Sequence, residues 1–461
     1  MNDLRFQSRI GETLSVGCAI LIFVAMFDHV MAIKYVDLGM LVVLGAWCAG
    51  RSLLKDSHTR PLLLPLGLWA IWTLMSASWS ADPAISAHAW FDEVGYPLTG
   101  FYVFWLTGQQ PRHVRRLQMA LWFACLILAG ISVAYFHLLD PALPKSGLLH
   151  FYPRVGHTST LALMAIPTLG VMAANADTRI RGLIGILFCV IIGGATLNRF
   201  FWVALAAVVV ILQWPHTPND RKRAACILSA LFVSILIAAG FSNKLRLATV
   251  ASNATRSETV TTPATMAKPY IGMTLASLHT EDPAARLADA DPHHHVGLMS
   301  RFPALRAADR VITADTRPQI WSFYSSQVLK HPWIGIGFGK PLPSIAYGSL
   351  IPSTLVELDE NVRTHAHNLF LNTLLQVGVV GLALEIIVFA SLAYRFYVAR
   401  KTHPLLYRAG LALIIGMITK NLTDDFMWES TMLMFWCSCG WLMGLSGAQT
   451  NANCASQLKN Y

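Results

Sequence analysis

Apolar residues fill the chain in windows about as long as a membrane span, and one long polar stretch interrupts them. Crossing ~30 Å of hydrocarbon takes roughly 20 apolar residues, and shorter windows are tolerated inside a bundle. The pattern predicts twelve transmembrane helices, at residues 14–33, 37–53, 61–79, 90–108, 117–138, 157–175, 181–196, 200–214, 224–241, 377–397, 406–420 and 428–447. The polar stretch separates the ninth window from the tenth.

The break at Leu197-Asn198-Arg199 is short, so the windows on either side of it could also form one long helix, which would leave eleven spans. Lysine and arginine accumulate in cytoplasmic loops. Twelve spans with the N-terminus inside place every basic cluster in the cytoplasm: Arg51/Lys55/Arg60, Arg112/Arg115/Arg116, Arg179/Arg181, Arg221/Lys222/Arg223 and Arg395/Arg400/Lys401/Arg408. Charge placement therefore favours twelve spans and a polar stretch that faces outward.

Composition agrees with a membrane protein, since 54% of residues are hydrophobic, only 13% are charged and the mean hydropathy is +0.49. The net charge of +10 does not indicate nucleic-acid binding, because the basic residues lie in short clusters between apolar windows. The eight cysteines fall in apolar windows or in the tail, which implies no disulfide framework. We predict an all-α integral membrane protein with no nucleic-acid partner.

This prediction divides the chain into four parts: an N-terminal bundle of nine helices over 1–241, a large periplasmic loop over 242–376, three C-terminal helices over 377–447 and a cytoplasmic tail over 448–461. Within the loop, residues 248–314 are rich in Thr, Ala, Ser and Pro and predict mobile or irregular structure. Apolar residues at helical spacing predict an amphipathic helix at 318–330, inside a helical part that extends to 376, with a glycine-rich turn at 331–339.

Candidate chemistry lies where the polar stretch returns to the membrane, at His365 and His367. If a helix already includes both, residues two apart point to different faces and do not form a two-histidine metal grip. Either histidine could act as a base near neutral pH, although a lone histidine is more often structural. We predict His367 as the base, with His365 as its rival, and no metal ion. His293-His294-His295 resembles a metal site by composition alone and is discounted.

Arginines on the same side could bind an anion, because the guanidinium fork suits phosphate oxygens. Arg199 is either a topological anchor or such a ligand, and its position on the outer side argues against the anchor. Arg317 and Arg154 could join it around a pyrophosphate. The last outer loop adds Lys420, Asp424 and Asp425. The carboxylates of the two aspartates could orient a base or hold a sugar hydroxyl.

The order of these motifs resembles the O-antigen ligase and polymerase superfamily. Its blocks are matched by Arg317-Pro-Gln-Ile-Trp321, His331-Pro-Trp-Ile-Gly335-Ile-Gly337-Phe-Gly339, His367-Asn-Leu-Phe-Leu371 and Gly378-Val-Val-Gly381. Thr196-Leu-Asn-Arg199 is similar to the superfamily's serine-arginine block, with Asn198 in place of the serine. Lys420 to Asp425 resembles the C-terminal region of the ligases.

The resemblance implies a membrane-embedded glycosyltransferase of the GT-C type, inverting and independent of metal, at the periplasmic face of the bacterial inner membrane. Its donor would be a glycan on undecaprenyl pyrophosphate, and a ligase would use a sugar hydroxyl of lipid A-core as acceptor. His367 would be the base and Arg199 and Arg317 the pyrophosphate ligands. Arg154, His365, Lys420, Asp424 and Asp425 would contact substrate. An O-antigen polymerase, a protein O-oligosaccharyltransferase and a glycan or lipid transporter remain open alternatives.

Overall fold

A computed structural model describes residues 2–52, 60–135, 155–196, 198–213, 316–358 and 360–458. This part of the chain is helical and holds no strand. Its α-helices, in chain order, are α1 Asn2–Val24, α2 Met31–Ser52, α3 Arg60–Met75, α4 Pro83–Trp90, α5 Tyr96–Gly108, α6 Pro111–Val133, α7 Val155–Ala174, α8 Arg179–Ala195, α9 Arg199–Leu212, α10 Arg317–Val328, α11 Leu342–Tyr347, α12 Ser353–Leu358, α13 Leu369–Val398, α14 Pro404–Asn421 and α15 Glu429–Leu458.

Six helices of the described part are long and apolar enough to cross a membrane: α2, α3, α6, α7, α8 and α13. Shorter apolar helices include residues Ile10–Val24 and Phe200–Leu212. The all-helical class and its membrane character are confirmed, whereas the count of twelve spans stays a prediction, since the window at 224–241 lies outside the described residues. The chain divides into two units, residues 1–242 with 319–461 and residues 243–318. Of the second unit the structure describes only residues 316–318.

Two helix boundaries deserve comparison with the sequence pattern. The first helix ends at Val24 instead of continuing to residue 33, because Asp28 and His29 form a turn in which His29 adopts a left-handed φ of 57°. The break before Arg199 is real. Helix α8 ends at Ala195, and the Asn198 side chain caps α9 by accepting hydrogen bonds from the backbone of Phe200 (3.1 Å) and Phe201 (3.3 Å). Asparagine thus caps this helix as a serine would.

Small residues let the bundle helices approach closely, as is common between membrane helices. Helix α15 packs along α5, where a Cβ on Gly440 would lie 2.0 Å from the carbonyl oxygen of Phe101. Helix α14 packs along α9, and Arg408 near the start of α14 donates to the carbonyl of Leu212 at the end of α9 (3.2 Å). The two helices are therefore antiparallel, and the start of α9 lies at the same end of the bundle as the end of α14.

The short helices α10, α11 and α12 share a second apolar cluster, separate from the core of the bundle. It is centred on Ile320, Tyr324, Leu342, Val362 and Ala366. The Tyr324 hydroxyl donates to the carbonyl of Val362 at 2.8 Å. Helix α10 occupies residues 317–328, so a helix lies where 318–330 was predicted, and it buries Ile320, Tyr324 and Gln327.

Helix α13 is broken at Gly378, whose φ of 68° and ψ of −173° are not helical. The backbone of the glycine-rich turn at 331–339 packs against this break and forms hydrogen bonds with it. Ile336 and Gly337 donate to the carbonyls of Leu375 (3.1 Å) and Gln376 (2.8 Å). In return, Val379 donates to the carbonyl of Pro332 at 2.9 Å. The turn and the broken helix thus form one hydrogen-bonded unit.

Gly378→Ala should destabilise the protein, because alanine disfavours the left-handed backbone and its Cβ would lie 2.2 Å from the backbone of Trp333. The backbone conformation alone costs roughly 1–3 kcal/mol. Gly348→Ala is the matched control: it has a helical φ of −57°, nothing lies within 4 Å of its Cβ position, and it should be neutral or stabilising by about 0.4–1 kcal/mol. Melting temperatures of the purified variants measure both effects. Equal shifts would show that the turn at 331–339 does not pack against the break at Gly378.

Candidate functional site

Both candidate histidines and one carboxylate of the last outer loop meet in the structure. His365 Nε2 lies 3.1 Å from Asp424 Oδ1, and His367 Nδ1 lies 3.2 Å from the same oxygen. The imidazole centroids are 4.1 Å apart. The three side chains are partly buried, with side-chain exposures of 12%, 12% and 18%.

The convergence of the histidines differs from the expectation that they point to different faces, which assumed a helix. Helix α13 begins only at Leu369, so residues 365–367 are not helical. The left-handed φ of 50° at His367 turns the chain here, so the two-apart rule for a helix does not apply. Ala366 faces inward and is fully buried in the second apolar cluster, while the two histidines face Asp424.

Helix α10 and Asn368 fix the position of this segment. Trp321 Nε1 donates to the carbonyl of His367 at 3.1 Å. Asn368 caps α13 by accepting from Leu371, and its amide donates to the carbonyl of Leu422 at 2.8 Å. His367 itself has a left-handed φ of 50°, a conformation of order 1–3 kcal/mol above the favoured regions for most residues. Such strain persists where surrounding contacts hold it, and it is common at functional sites.

Hydrogen bonds set the charge state of Asp424. Its Oδ1 accepts from the two imidazoles and from the backbone of Asp425 (2.9 Å). Burial would raise the pKa of Asp424, but the hydrogen bonds from His365 and His367 outweigh it and hold the pKa of this carboxyl well below its usual range. Asp424 is therefore an ionised acceptor at neutral pH.

Burial, followed by the charge of Lys340, lowers the pKa of His365 to about 4. A neutral His365 must donate its Nε2–H to the carboxylate, and its Nδ1 then accepts from the Thr364 hydroxyl at 2.8 Å. His367 donates through Nδ1–H, so the lone pair of its neutral ring lies on Nε2. This is the arrangement in which a carboxylate orients a general base.

Asp425 has a structural position. Its side chain is buried, with 3% exposure, and accepts from the amide of Asn372 (2.8 Å) and the backbone of Met427 (3.3 Å). The Lys340 ammonium donates to the carbonyl of Asp425 and lies 4.8 Å from the centroid of the Trp428 ring. Asp425 thus joins α13 to the last outer loop, whereas Asp424 is the carboxylate that accepts from both histidines.

The remaining predicted residues lie on separate elements, and the structure describes them to different extents. Lys420, at 1% exposure, lies 4.3 Å from the centroid of the Phe426 ring. Arg317 begins α10, one helical turn before Trp321. Arg199 begins α9, whose start lies at the end of the bundle that carries Lys420; its side chain and the whole of Arg154 are outside the described residues.

Sequence reasoning missed Lys340, Asn372 and Trp321. Lys340 directly follows the third positive-φ glycine of the turn, Gly339, and this position was a signal that a charge there is held in place. Trp321 was assigned to a helix and to a family block, but spacing does not show that its indole donates to the carbonyl of His367.

His365, His367 and Asp424 could also hold a metal ion, since they offer one ligand atom each within 4.8 Å of one another. Nitrogen–oxygen separations of 3.1 and 3.2 Å suit hydrogen bonds, and they equally suit two ligands that each lie ~2.0–2.2 Å from zinc. The geometry alone therefore permits both uses, and the expectation of a metal-free site stays a prediction.

The fold and site define an all-helical membrane protein with a histidine–aspartate pair where an extramembrane segment enters a span. A family model described as O-antigen ligase matches residues 162–386, which confirms the resemblance seen in the motifs. The matched region includes Arg199, Arg317, His365 and His367, whereas Lys420, Asp424 and Asp425 lie beyond it.

A curated relative supports the same family. The chain is 27% identical over 104 residues to an O-antigen ligase of Pseudomonas aeruginosa. That alignment spans 23% of this chain and 23% of the relative. Since it covers less than a quarter of the relative's length, it supports membership of a ligase-type family and leaves the substrates to be argued from the site.

Acidification should destabilise the protein through His365. The pKa of His365 is about 4 in the folded state and 6.5 when exposed, so the unfolded state binds more protons between these values. The stability that this group contributes is present above pH 6.5 and is lost as the pH falls towards 4, by at most roughly 1.4 kcal/mol per pH unit. Asp424 acts with the same sign, but below its ordinary pKa of 3.8.

Melting temperatures at several pH values between 7 and 4.5 measure this effect, with His365→Gln as the comparison. Glutamine keeps a donor towards Asp424 but does not titrate, so its melting temperature should fall less on acidification. Identical pH dependence in the two proteins would show that His365 is not held neutral.

Proposed function

We propose that this protein is an O-antigen ligase, which transfers a glycan from undecaprenyl pyrophosphate to a sugar hydroxyl of lipid A-core. The reaction is inverting and metal-independent, and it occurs at the periplasmic face of the bacterial inner membrane in lipopolysaccharide biosynthesis. The observation that carries the proposal is the His367–Asp424 hydrogen bond of 3.2 Å in a chain whose residues 162–386 match the ligase family.

The acceptor hydroxyl loses its proton to Nε2 of His367 as its oxygen attacks the anomeric carbon of the donor sugar. The bond from that carbon to the pyrophosphate oxygen breaks on the opposite face, which inverts the configuration. Asp424 stabilises the imidazolium that forms, as the aspartate of a catalytic triad does. A positioned base of this kind contributes roughly 10²–10⁴-fold to the rate.

The leaving pyrophosphate gains negative charge, and Arg199 and Arg317 stabilise it. Arg199 occupies the first turn of α9, where the positive end of the helix dipole also favours an anion. Arg317 begins α10, and Trp321 of that helix holds the backbone of the proposed base. Arg154 is a further proposed donor ligand, and the buried Lys420 adds positive charge beneath the last outer loop.

Two other enzyme functions use the same donor chemistry: an O-antigen polymerase and a protein O-oligosaccharyltransferase. Both would keep the base and the arginines and differ in the acceptor. The resemblance of residues 420–425 to the ligases favours lipid A-core. A glycan or lipid transporter is less well supported, because it has no use for a carboxylate that orients a histidine through Nδ1.

His367→Ala should lower glycan transfer by roughly 10²–10⁴-fold, because the acceptor hydroxyl loses its base. His365→Ala should lower it less, since His365 supports Asp424 through a second hydrogen bond. Transfer in membranes, normalised to the amount of inserted protein, measures both, with His331→Ala as the control on an exposed histidine. A larger loss in His365→Ala than in His367→Ala would make His365 the base.

A chelator separates this mechanism from a metal site on the same residues. The metal-independent reaction keeps its rate in EDTA. If EDTA abolished transfer and Zn²⁺ restored it in the parent but not in Asp424→Asn, the three residues would be metal ligands and the base assignment would be wrong.

Deletion of the gene tests the acceptor. A ligase leaves polymerised glycan on undecaprenyl pyrophosphate beside uncapped lipid A-core, as glycolipid analysis would reveal. Lipid A-core capped by a single repeat unit would instead identify a polymerase. Normal lipopolysaccharide with loss of glycoprotein would identify a protein transferase.

A further inference from the structure

The turn at 331–339 belongs to the polar stretch by sequence, yet its exposed side chains at the tip are apolar. Trp333 is 69% exposed and Ile334 is 41% exposed, whereas residues 335–340 are buried. Lys330 and His331, just before them, are exposed and polar. A tryptophan next to polar or basic residues is the pattern found at membrane–water interfaces.

The faces beside this tip belong to candidate membrane spans. Val379 and Val380, which are exposed on α13, donate to the carbonyls of Pro332 (2.9 Å) and Trp333 (3.3 Å). Helix α3 belongs to a candidate membrane span that runs from Pro61 to Trp79. At the end of this span, the Trp79 indole N–H donates to the carbonyl of Ile334 at 3.1 Å. That span also carries the exposed apolar residues Ile71, Leu74 and Met75. The tip is therefore continuous with two surfaces of lipid-facing composition.

Many backbone carbonyl and N–H groups of the turn form hydrogen bonds within the protein, which a loop exposed to water does not require. Protein groups bond the carbonyls of Pro332, Trp333, Ile334 and Ile336 and the N–H groups of Gly335, Ile336, Gly337, Phe338 and Gly339. In the break of α13, the carbonyl of Val377 accepts from Trp72 Nε1 at 3.1 Å. Each unpaired backbone group in hydrocarbon would cost several kcal/mol, so non-helical backbone survives at membrane depth only when it is paired in this way.

We propose that residues 332–338 form a re-entrant segment at the membrane interface, with the Trp333 and Ile334 side chains in contact with phospholipid acyl chains. Lys330 and His331 then lie at the level of the headgroups. The occupant is bilayer lipid because the patch continues the exposed faces of α3 and α13, which a folded partner protein would also have to cover.

This placement connects the membrane to the site. Lys340 directly follows the segment and donates to the carbonyl of Asp425, next to the aspartate that binds both histidines. Lipid anchoring of the turn thus holds the histidine–aspartate pair at a fixed depth. The inference does not depend on which substrate the site uses.

Photocrosslinking of the full chain in native membranes tests the proposal. Photoreactive benzoylphenylalanine is placed in turn at positions 333 and 334, and mass spectrometry identifies the adducts. Position 187, exposed on the α8 span, is the control for lipid contact; position 357, an exposed glutamate on α12, is the control for water.

Phospholipid adducts at 333 and 334, at a level comparable with position 187 and absent at 357, are the expected result. Absence of lipid adducts at both positions, with adducts at 187, would overturn the proposal. Crosslinks to a protein at 333 or 334 would also overturn it, because another chain would then cover this face.

Discussion

The exchange of backbone hydrogen bonds between the glycine-rich turn and the break in α13 is the interaction on which the site depends. A helix that breaks at Gly378 exposes the carbonyls of the turn before it and the N–H groups after it. Residues 332–337 and the Trp72 indole satisfy these groups. The Trp79 indole donates to the carbonyl of Ile334 in the turn. The part of α13 before Gly378, its first leg, is held in place as a result. This leg begins at the Asn368 cap and brings Asn372 to Asp425.

Hydrogen bonds from the start of α13 and from its part before Gly378 position the histidine–aspartate pair. Asn368 joins the start of α13 to Leu422, and Asp425 joins its first leg to the same loop, so Asp424 between them has little freedom. Trp321 holds the backbone of His367 in its left-handed conformation. If His367 is the base, as proposed, its side chain does not have to be ordered when substrate binds, which is where much of the benefit of a rigid site arises.

Sequence reasoning recovered the features that depend on local composition. Apolar windows located the long helices, and the break at 197–199, which charge placement favoured, is a real helix boundary. It did not recover the convergence of His365 and His367, since their relative direction depends on whether α13 begins before or after them. The role of Lys340 was equally hidden: its partner, the carbonyl of Asp425, is 85 positions away in the chain.

Some of the family motifs serve to pack the turn at 331–339 and others supply the proposed reactive residues, and neither kind identifies the acceptor. The blocks at 331–339 and 378–381 contain four glycines, Gly335, Gly337, Gly378 and Gly381, at which a Cβ would collide with neighbouring atoms, so these blocks reflect the packing of the turn against α13. The proposed roles of Arg199 and Arg317 at the donor pyrophosphate and of His367 as the base are ones that ligases and polymerases would share. The loop that supplies Asp424 lies beyond the family match at 162–386. Acceptor choice therefore has to be sought in that loop and in the surfaces around it, where the shared motifs end.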